Sequence, residues 1–287
     1  MNWIVLSLIY GLFNALYMQF NSHHKYNAYV LGIWRGFGIF ALTLPIIPFL
    51  PLVPSVWFYL ILIFQGIMIG IYDTHIFFAS AKYGSTATQG FLTTTVLITT
   101  FIWWAIDFSS LQNLSKPPSH LISLLIILCG FSISYWNMMR VHINHEAEKY
   151  LYPAVFALSL MSIATKYIAV QGGHAYVGVS YYLSIACLVS GIYSLFQFRK
   201  HIRKHRRRLL LSAPLQQGNG LRLIFLSIVL ITAKTLALRI AANPGYVMVI
   251  LLLSPLFGTI LSTRTVTIPR TAYPMLFFLI LFLIWVT

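Results

Sequence analysis

Acidic residues are nearly missing from this 287-residue chain: Asp and Glu together number four against 19 Lys and Arg, and charged residues of all kinds make up only 8%. Soluble globular domains carry about 25% charged residues, so the scarcity excludes a water-soluble fold. It also removes most carboxylate chemistry, because Asp73, Asp107 and the Glu146/Glu148 pair lie far apart in the chain. Cysteine is as scarce. Cys129 and Cys187 sit inside apolar stretches without CxxC or Cys/His spacing, which argues against a structural metal. No HExxH, GxSxG or DxD pattern occurs. His142-Ile-Asn-His145-Glu146 has roughly ligand-like spacing but falls in a polar connection, where histidines are ordinarily solvated. Neither catalysis nor a cofactor or metal is therefore expected.

What the chain has in abundance is apolar length. Hydrophobic residues make up 59% and aromatic residues 16%, and the mean hydropathy is +0.82. One helical crossing of a bilayer takes roughly 20 apolar residues. Runs of that kind appear at 2–20, 28–50, 56–80, 86–106, 119–138, 151–170, 175–198, 221–241, 244–262 and 271–286, ten in all. They are continuous rather than alternating, so they predict helices and exclude a closed β-barrel. The first run has no basic residue before it and no small-residue cleavage site after it, and reads as a crossing rather than a signal peptide. The expected fold is an all-α polytopic membrane protein.

The basic residues orient the crossings. The connections after the first, third, fifth, seventh and ninth runs hold fourteen Lys and Arg, including Lys25, Lys82, Arg140, Lys149, Arg264 and Arg270. The opposite side holds only Lys116 and Arg239. Positive charge stays in the cytoplasm, which places both termini outside. The run from Arg199 to Arg208 is a topogenic loop in contact with anionic lipid headgroups rather than a nucleic-acid patch, because it directly follows a crossing. Trp3, Trp57, Trp103, Trp104, Trp136 and Trp285 fall near helix ends, where indole rings prefer the interface.

An internal echo divides the chain. Ala28-Tyr-Val-Leu-Gly32 returns as Ala175-Tyr-Val-Gly-Val179, and the segment from Phe58 to Ile106 has a counterpart from Leu221 to Ser262. The expected organisation is a five-helix repeat over 1–139, a linker over 140–148 and a second repeat over 149–287. Five crossings per repeat invert the second half, an arrangement recurrent in secondary transporters with the substrate site at the repeat interface.

Three stretches carry a resemblance: Leu31-Gly-Ile-Trp-Arg35-Gly-Phe-Gly38, Phe77-Phe-Ala-Ser-Ala-Lys-Tyr-Gly-Ser-Thr86, and Ala241-Ala-Asn-Pro-Gly245 leading to Leu253-Ser-Pro-Leu-Phe257. With them the chain resembles the drug/metabolite transporter superfamily, in its ten-helix EamA-type branch. The resemblance implies a carrier that works by alternating access. The expected setting is the bacterial inner (plasma) membrane, with the basic loops cytoplasmic by their charge, and the expected state is a monomer. A small-molecule substrate is the expected partner besides the bilayer, and nucleic acid is not expected.

Ionisable side chains inside the crossings are the candidates for function. Arg35 and Asp73 lie at similar depth and are expected to pair as a gate or as a structural ion pair. Asp73 is the sole carboxylate away from the helix ends, and with His75, a residue type that titrates near neutrality, it is the candidate for proton coupling. Lys166 and Lys234 lie in the outer half. Facing one cavity, they would select an anionic or zwitterionic metabolite; snorkelling to the interface is the alternative. Asn14, Tyr17, Thr94 and Ser254 complete the expected lining, with helix packing as the alternative for the hydroxyl residues. A multidrug exporter, a lipid-carrier flippase and a non-transporting scaffold remain open beside the metabolite carrier.

Overall fold

The structure is a computed structural model that describes residues 2–89, 92–139, 145–205, 218–263 and 270–286. The expectations for Arg140, His142, Arg206, Arg207, Arg208 and Arg264 lie outside those residues. The described chain is all helical, with no strand.

The first crossing is α1, Trp3–His24, whose N-cap Asn2 accepts a hydrogen bond from the Ile4 amide. Asn21 near its end ties the next turn to the bundle: its amide donates to the Phe77 carbonyl at 2.8 Å and its oxygen accepts from the Tyr26 amide. Asn27 caps α2, Ala28–Thr43, by accepting from the Tyr29 and Val30 amides. Pro45 and Pro48 then convert the end of that crossing to a 3₁₀ segment, Leu44–Phe49, since proline cannot donate to the preceding turn.

Further along are α3, Val56–Tyr83, the short α4, Ser85–Gln89, α5, Leu92–Ile106, the short α6, Phe108–Leu114, and α7, Pro118–Met139. The second half holds α8, His145–Gln171, α9, Ala175–Tyr181, α10, Cys187–His205, α11, Asn219–Ile240, α12, Pro244–Leu251, α13, Ser254–Thr263, and α14, Tyr273–Val286. A π-helical segment, Tyr182–Ala186, joins α9 to α10. The turn Leu252–Leu253 breaks the crossing between α12 and α13.

Among the described residues, eight helical segments are long and apolar enough to cross a membrane, and two shorter apolar helices, Thr94–Ile106 and Arg270–Val286, accompany them. The protein is a multi-pass membrane protein. Two boundaries differ from the sequence reading. The linker expected over 140–148 is partly helical, because α8 starts at His145 with Glu146 in its first turn, where acidic side chains favour the helix dipole. The basic run is also helical as far as His205.

The most extensive packing joins α3 to α8, α2 to α10 and α1 to α11, and α7 lies along α14. Around these, α5 packs on α8 and α12, while α1 packs on α3, α12 and α13. Trp3 and Trp285 line one cavity, so both ends of the chain lie at the same face of the bundle, called the terminal face below. The crossing of α2 over α10 is a backbone approach: a Cβ on Gly36 would lie 2.5 Å from the Gly191 backbone and 2.8 Å from the Cys187 carbonyl oxygen. Small residues permit such approaches where apolar lipid supplies little driving force. Gly36→Val is expected to lower the melting temperature of the purified protein, since overpacking of this kind costs about 1–3 kcal/mol; an unchanged thermal transition in detergent would show that the crossing adapts.

Candidate functional site

The centre of the bundle is built on one carboxylate. Gly36 lets α2 settle on α10, and Arg35, its neighbour, is thereby buried facing α3. Its Nη1 forms an ion pair with Oδ2 of Asp73. The other carboxylate oxygen accepts from the Tyr17 hydroxyl of α1 at 2.9 Å, and the Arg35 guanidinium lies 5.6 Å from the Tyr17 ring centre. Three helices thus meet on Asp73. A buried carboxylate is tolerated only when its oxygens are engaged in this way.

Lys234 of α11 lines the same small pocket, together with Tyr10, Tyr72 and Tyr182. Only 2% of the residue is exposed, its Nζ has no hydrogen-bond partner among the described residues, and it lies 6.0 Å from the centre of the Tyr10 ring. The pocket's volume is about 10 Å³, enough for no more than about one water. The site therefore places two basic side chains and one carboxylate together in a closed centre.

Polar side chains surround it. The Asn14 amide donates to the Ser254 hydroxyl at 3.2 Å, and that hydroxyl donates to the Gly11 carbonyl at 2.9 Å. This ties α1 to the break between α12 and α13. Gln65 of α3 donates to the Thr165 hydroxyl and to the Tyr182 hydroxyl, at 3.0 and 2.9 Å, which ties α3 to α8 and to the π-helical segment. Discontinuities of the helices in the middle of a crossing are tolerated where neighbours satisfy the freed groups.

The structure does not bring every candidate to this centre. Lys166 donates to the Leu238 carbonyl at 3.2 Å and to the Ala241 carbonyl, and sits 5.2 Å from the centre of the Trp103 ring. It neither snorkels nor lines the Lys234 pocket; it binds the carbonyls that end α11, a favourable place for a cation. Arg239 returns the arrangement, donating from α11 to the Ala169 and Gly173 carbonyls at the end of α8. His75 is half-buried and lies with its ring centre 4.8 Å from that of Tyr150, the two rings tilted by 56°. Thr94 faces outward on α5, whereas Thr95, Thr99 and Thr100 are buried.

Sequence reasoning passed over Tyr10, Tyr72, Tyr182 and Gln65. Gln65 left a signal, a side-chain amide in the middle of an apolar run. The tyrosines left none, because a tyrosine in such a run equally suits an interface. No family model and no curated protein sequence matches the chain. Asp73→Ala is expected to cost about 3–5 kcal/mol of stability by leaving Arg35 buried without its partner, and Arg35→Met with Asp73→Leu to recover most of it. Denaturation of the three proteins side by side checks this; equal stability of the single and double variants would sink the charge argument.

Proposed function

We propose that the protein is a secondary active transporter that moves a small anionic or zwitterionic metabolite by alternating access, with ten crossings in two inverted five-helix halves. The observation that carries this reading is the buried ammonium of Lys234, which lacks a hydrogen-bond partner among the described residues in a pocket lined by both halves. A buried donor left in that state costs free energy, and a carboxylate or phosphate of a substrate would supply what it lacks.

The helix pairing supports the inverted halves. Exchange of the first five crossings for the second five turns the α1/α11 pair into α8/α3, α1/α12 into α8/α5, α2/α11 into α10/α3 and α1/α3 into α8/α11, and every one of these contacts occurs. The α2/α10, α7/α14 and α5/α12 pairs map onto themselves. The broken crossing α12/α13 and the π-helical segment at the centre fit the discontinuous helices found at transporter sites. In this reading Tyr17, Arg35 and Asp73 seal the path on the basic, cytoplasmic side, and substrate reaches Lys234 from the terminal face.

A second reading, a non-transporting membrane scaffold, is favoured by one observation: the central pocket holds only about 10 Å³. Transport separates the two. In proteoliposomes offered a panel of metabolites, with and without a pH gradient, the carrier reading expects saturable uptake of an anionic or zwitterionic compound, and at least a roughly tenfold loss in Lys234→Ala with unchanged elution and helicity. Uptake of nothing in the panel favours the scaffold, and normal uptake by the variant overturns the anion site.

The orientation is tested separately, on a Cys129→Ser background. An impermeant maleimide is expected to label Lys116→Cys from outside intact cells and Lys25→Cys only after permeabilisation. The opposite pattern would reverse the proposed topology.

A further inference from the structure

Toward the basic face, opposite the terminal one, α3 is left partly uncovered. It packs on both α8 and α10, and those two helices do not pack on each other to any comparable extent. A groove therefore runs between them with α3 as its floor. Ile67, Ile71, His75, Phe78 and Lys82 are partly or fully exposed, and the α3 residues between them are buried except for Met68 and Ala81. Steps of three and four residues keep these five on one side of the helix.

The stripe changes chemistry along its length. Ile67 and Ile71 are apolar, whereas His75 and Lys82 bring polar groups at the end nearer the basic face. The 15 residues from Ile67 to Lys82 span about 22 Å at 1.5 Å per residue, roughly half of a bilayer with its headgroups. A row of rings crosses the polar part of the groove. His201 of α10 lies 5.5 Å from Tyr29 of α2, Tyr29 5.3 Å from Phe78, Phe78 6.5 Å from Tyr150 of α8, and Tyr150 4.8 Å from His75, between ring centres. Gly70 leaves room on the floor for the Tyr193 ring of α10, which a Cβ there would strike. Tyrosine and histidine join an apolar body to a polar tip, which suits the depth where acyl chains give way to headgroups.

Charge at this end is one-sided. Of the exposed side chains described at the basic ends of α3, α8 and α10, Lys82, Lys149, Arg199, Lys200 and Arg203 are basic and only Glu146 is acidic. Lys82 meets Glu146 at 3.6 Å with both side chains largely exposed. An exposed pair of this kind is weak and does not withhold the lysine from a phosphate.

We propose that the groove floored by α3 binds one anionic phospholipid, with its phosphate near Lys82 and the basic end of α10, its glycerol region against the row of rings, and an acyl chain along Ile71 and Ile67. The surplus of cations favours a net negative headgroup over a zwitterionic one, and the apolar half of the stripe calls for a tail that a soluble phosphate lacks. The site differs from a general attraction of the basic segment to the membrane surface in holding a single lipid in a fixed groove. It does not depend on whether the Lys234 centre transports.

Native mass spectrometry tests this on the full-length protein, equilibrated in detergent with equal amounts of phosphatidylglycerol and phosphatidylcholine of identical chains. One phosphatidylglycerol is expected to stay bound with a preference of roughly tenfold or more, since each nearby cation contributes about a fivefold preference. Lys82→Gln should lower that preference by about fivefold. Ile71→Trp, which fills the floor of the groove, should remove bound lipid of either kind. Arg222→Gln with Arg270→Gln removes two exposed cations from elements that do not pack on α3, and should leave the preference unchanged. Equal retention of the two lipids would overturn the proposal, as would wild-type retention in Ile71→Trp or an equal loss of preference in the Arg222 and Arg270 variant. Displacement of the bound lipid by glycerol 3-phosphate at equal concentration would also overturn it, by making the site one for a soluble phosphate.

Discussion

Asp73 is the one carboxylate buried among the described residues, and the placement of every buried cation follows from that shortage. Arg35 takes the carboxylate, with Tyr17 on its other oxygen. Lys166 forms no ion pair among the described residues and donates instead to the carbonyls that finish α11. Lys234 has neither. In a medium where an isolated charge is expensive, this ordering sorts structural cations from a functional candidate more sharply than depth in the membrane does. Lys166 and Lys234 look alike in sequence, each a lone lysine in an apolar run; they differ in whether a helix end lies within reach.

The all-helical, membrane-spanning character was legible because it depends on run length and on the absence of alternation, which a sequence displays directly. The meeting of Arg35 and Asp73 was legible for a similar reason: only one carboxylate lies at a depth that Arg35 can reach. The helix interruptions were less so. Pro45 and Pro48 lie in the 3₁₀ end of the second crossing, where proline cannot make the helical hydrogen bonds. Pro255 lies just after the break between α12 and α13. The π-helical Tyr182–Ala186 contains neither proline nor glycine that would have signalled it, and its first residue is held by the Gln65 bond from α3, a contact distant in sequence. The Lys166 site was hidden as well, since the carbonyls it binds belong to a helix whose end no local pattern brings near it.

Aromatic residues serve two different purposes along the axis of the bundle. At the centre, Tyr10 and Tyr17 lie beside cations, where the ring face attracts positive charge. At the terminal face, Trp3, Trp104 and Trp285 line a cavity together with His120, Ser110 and Ser123. The two regions share α1 and α11 but differ in lining: Arg35, Asp73 and Lys234 with tyrosines at the centre, tryptophans at the terminal face.

The exchange of cations between α8 and α11 has a mechanical consequence. Each helix contributes a side chain that grips the other's last carbonyls, Lys166 in one direction and Arg239 in the other. Separating these ends would strip two cations from their oxygens at once, so the pair behaves as a single stiff strut at the terminal face. Under the proposed alternating access, motion that opens the centre would swing this strut as a unit against α1 and α3, with the give concentrated where the ladder is already interrupted, at Tyr182–Ala186 and at Leu252–Leu253.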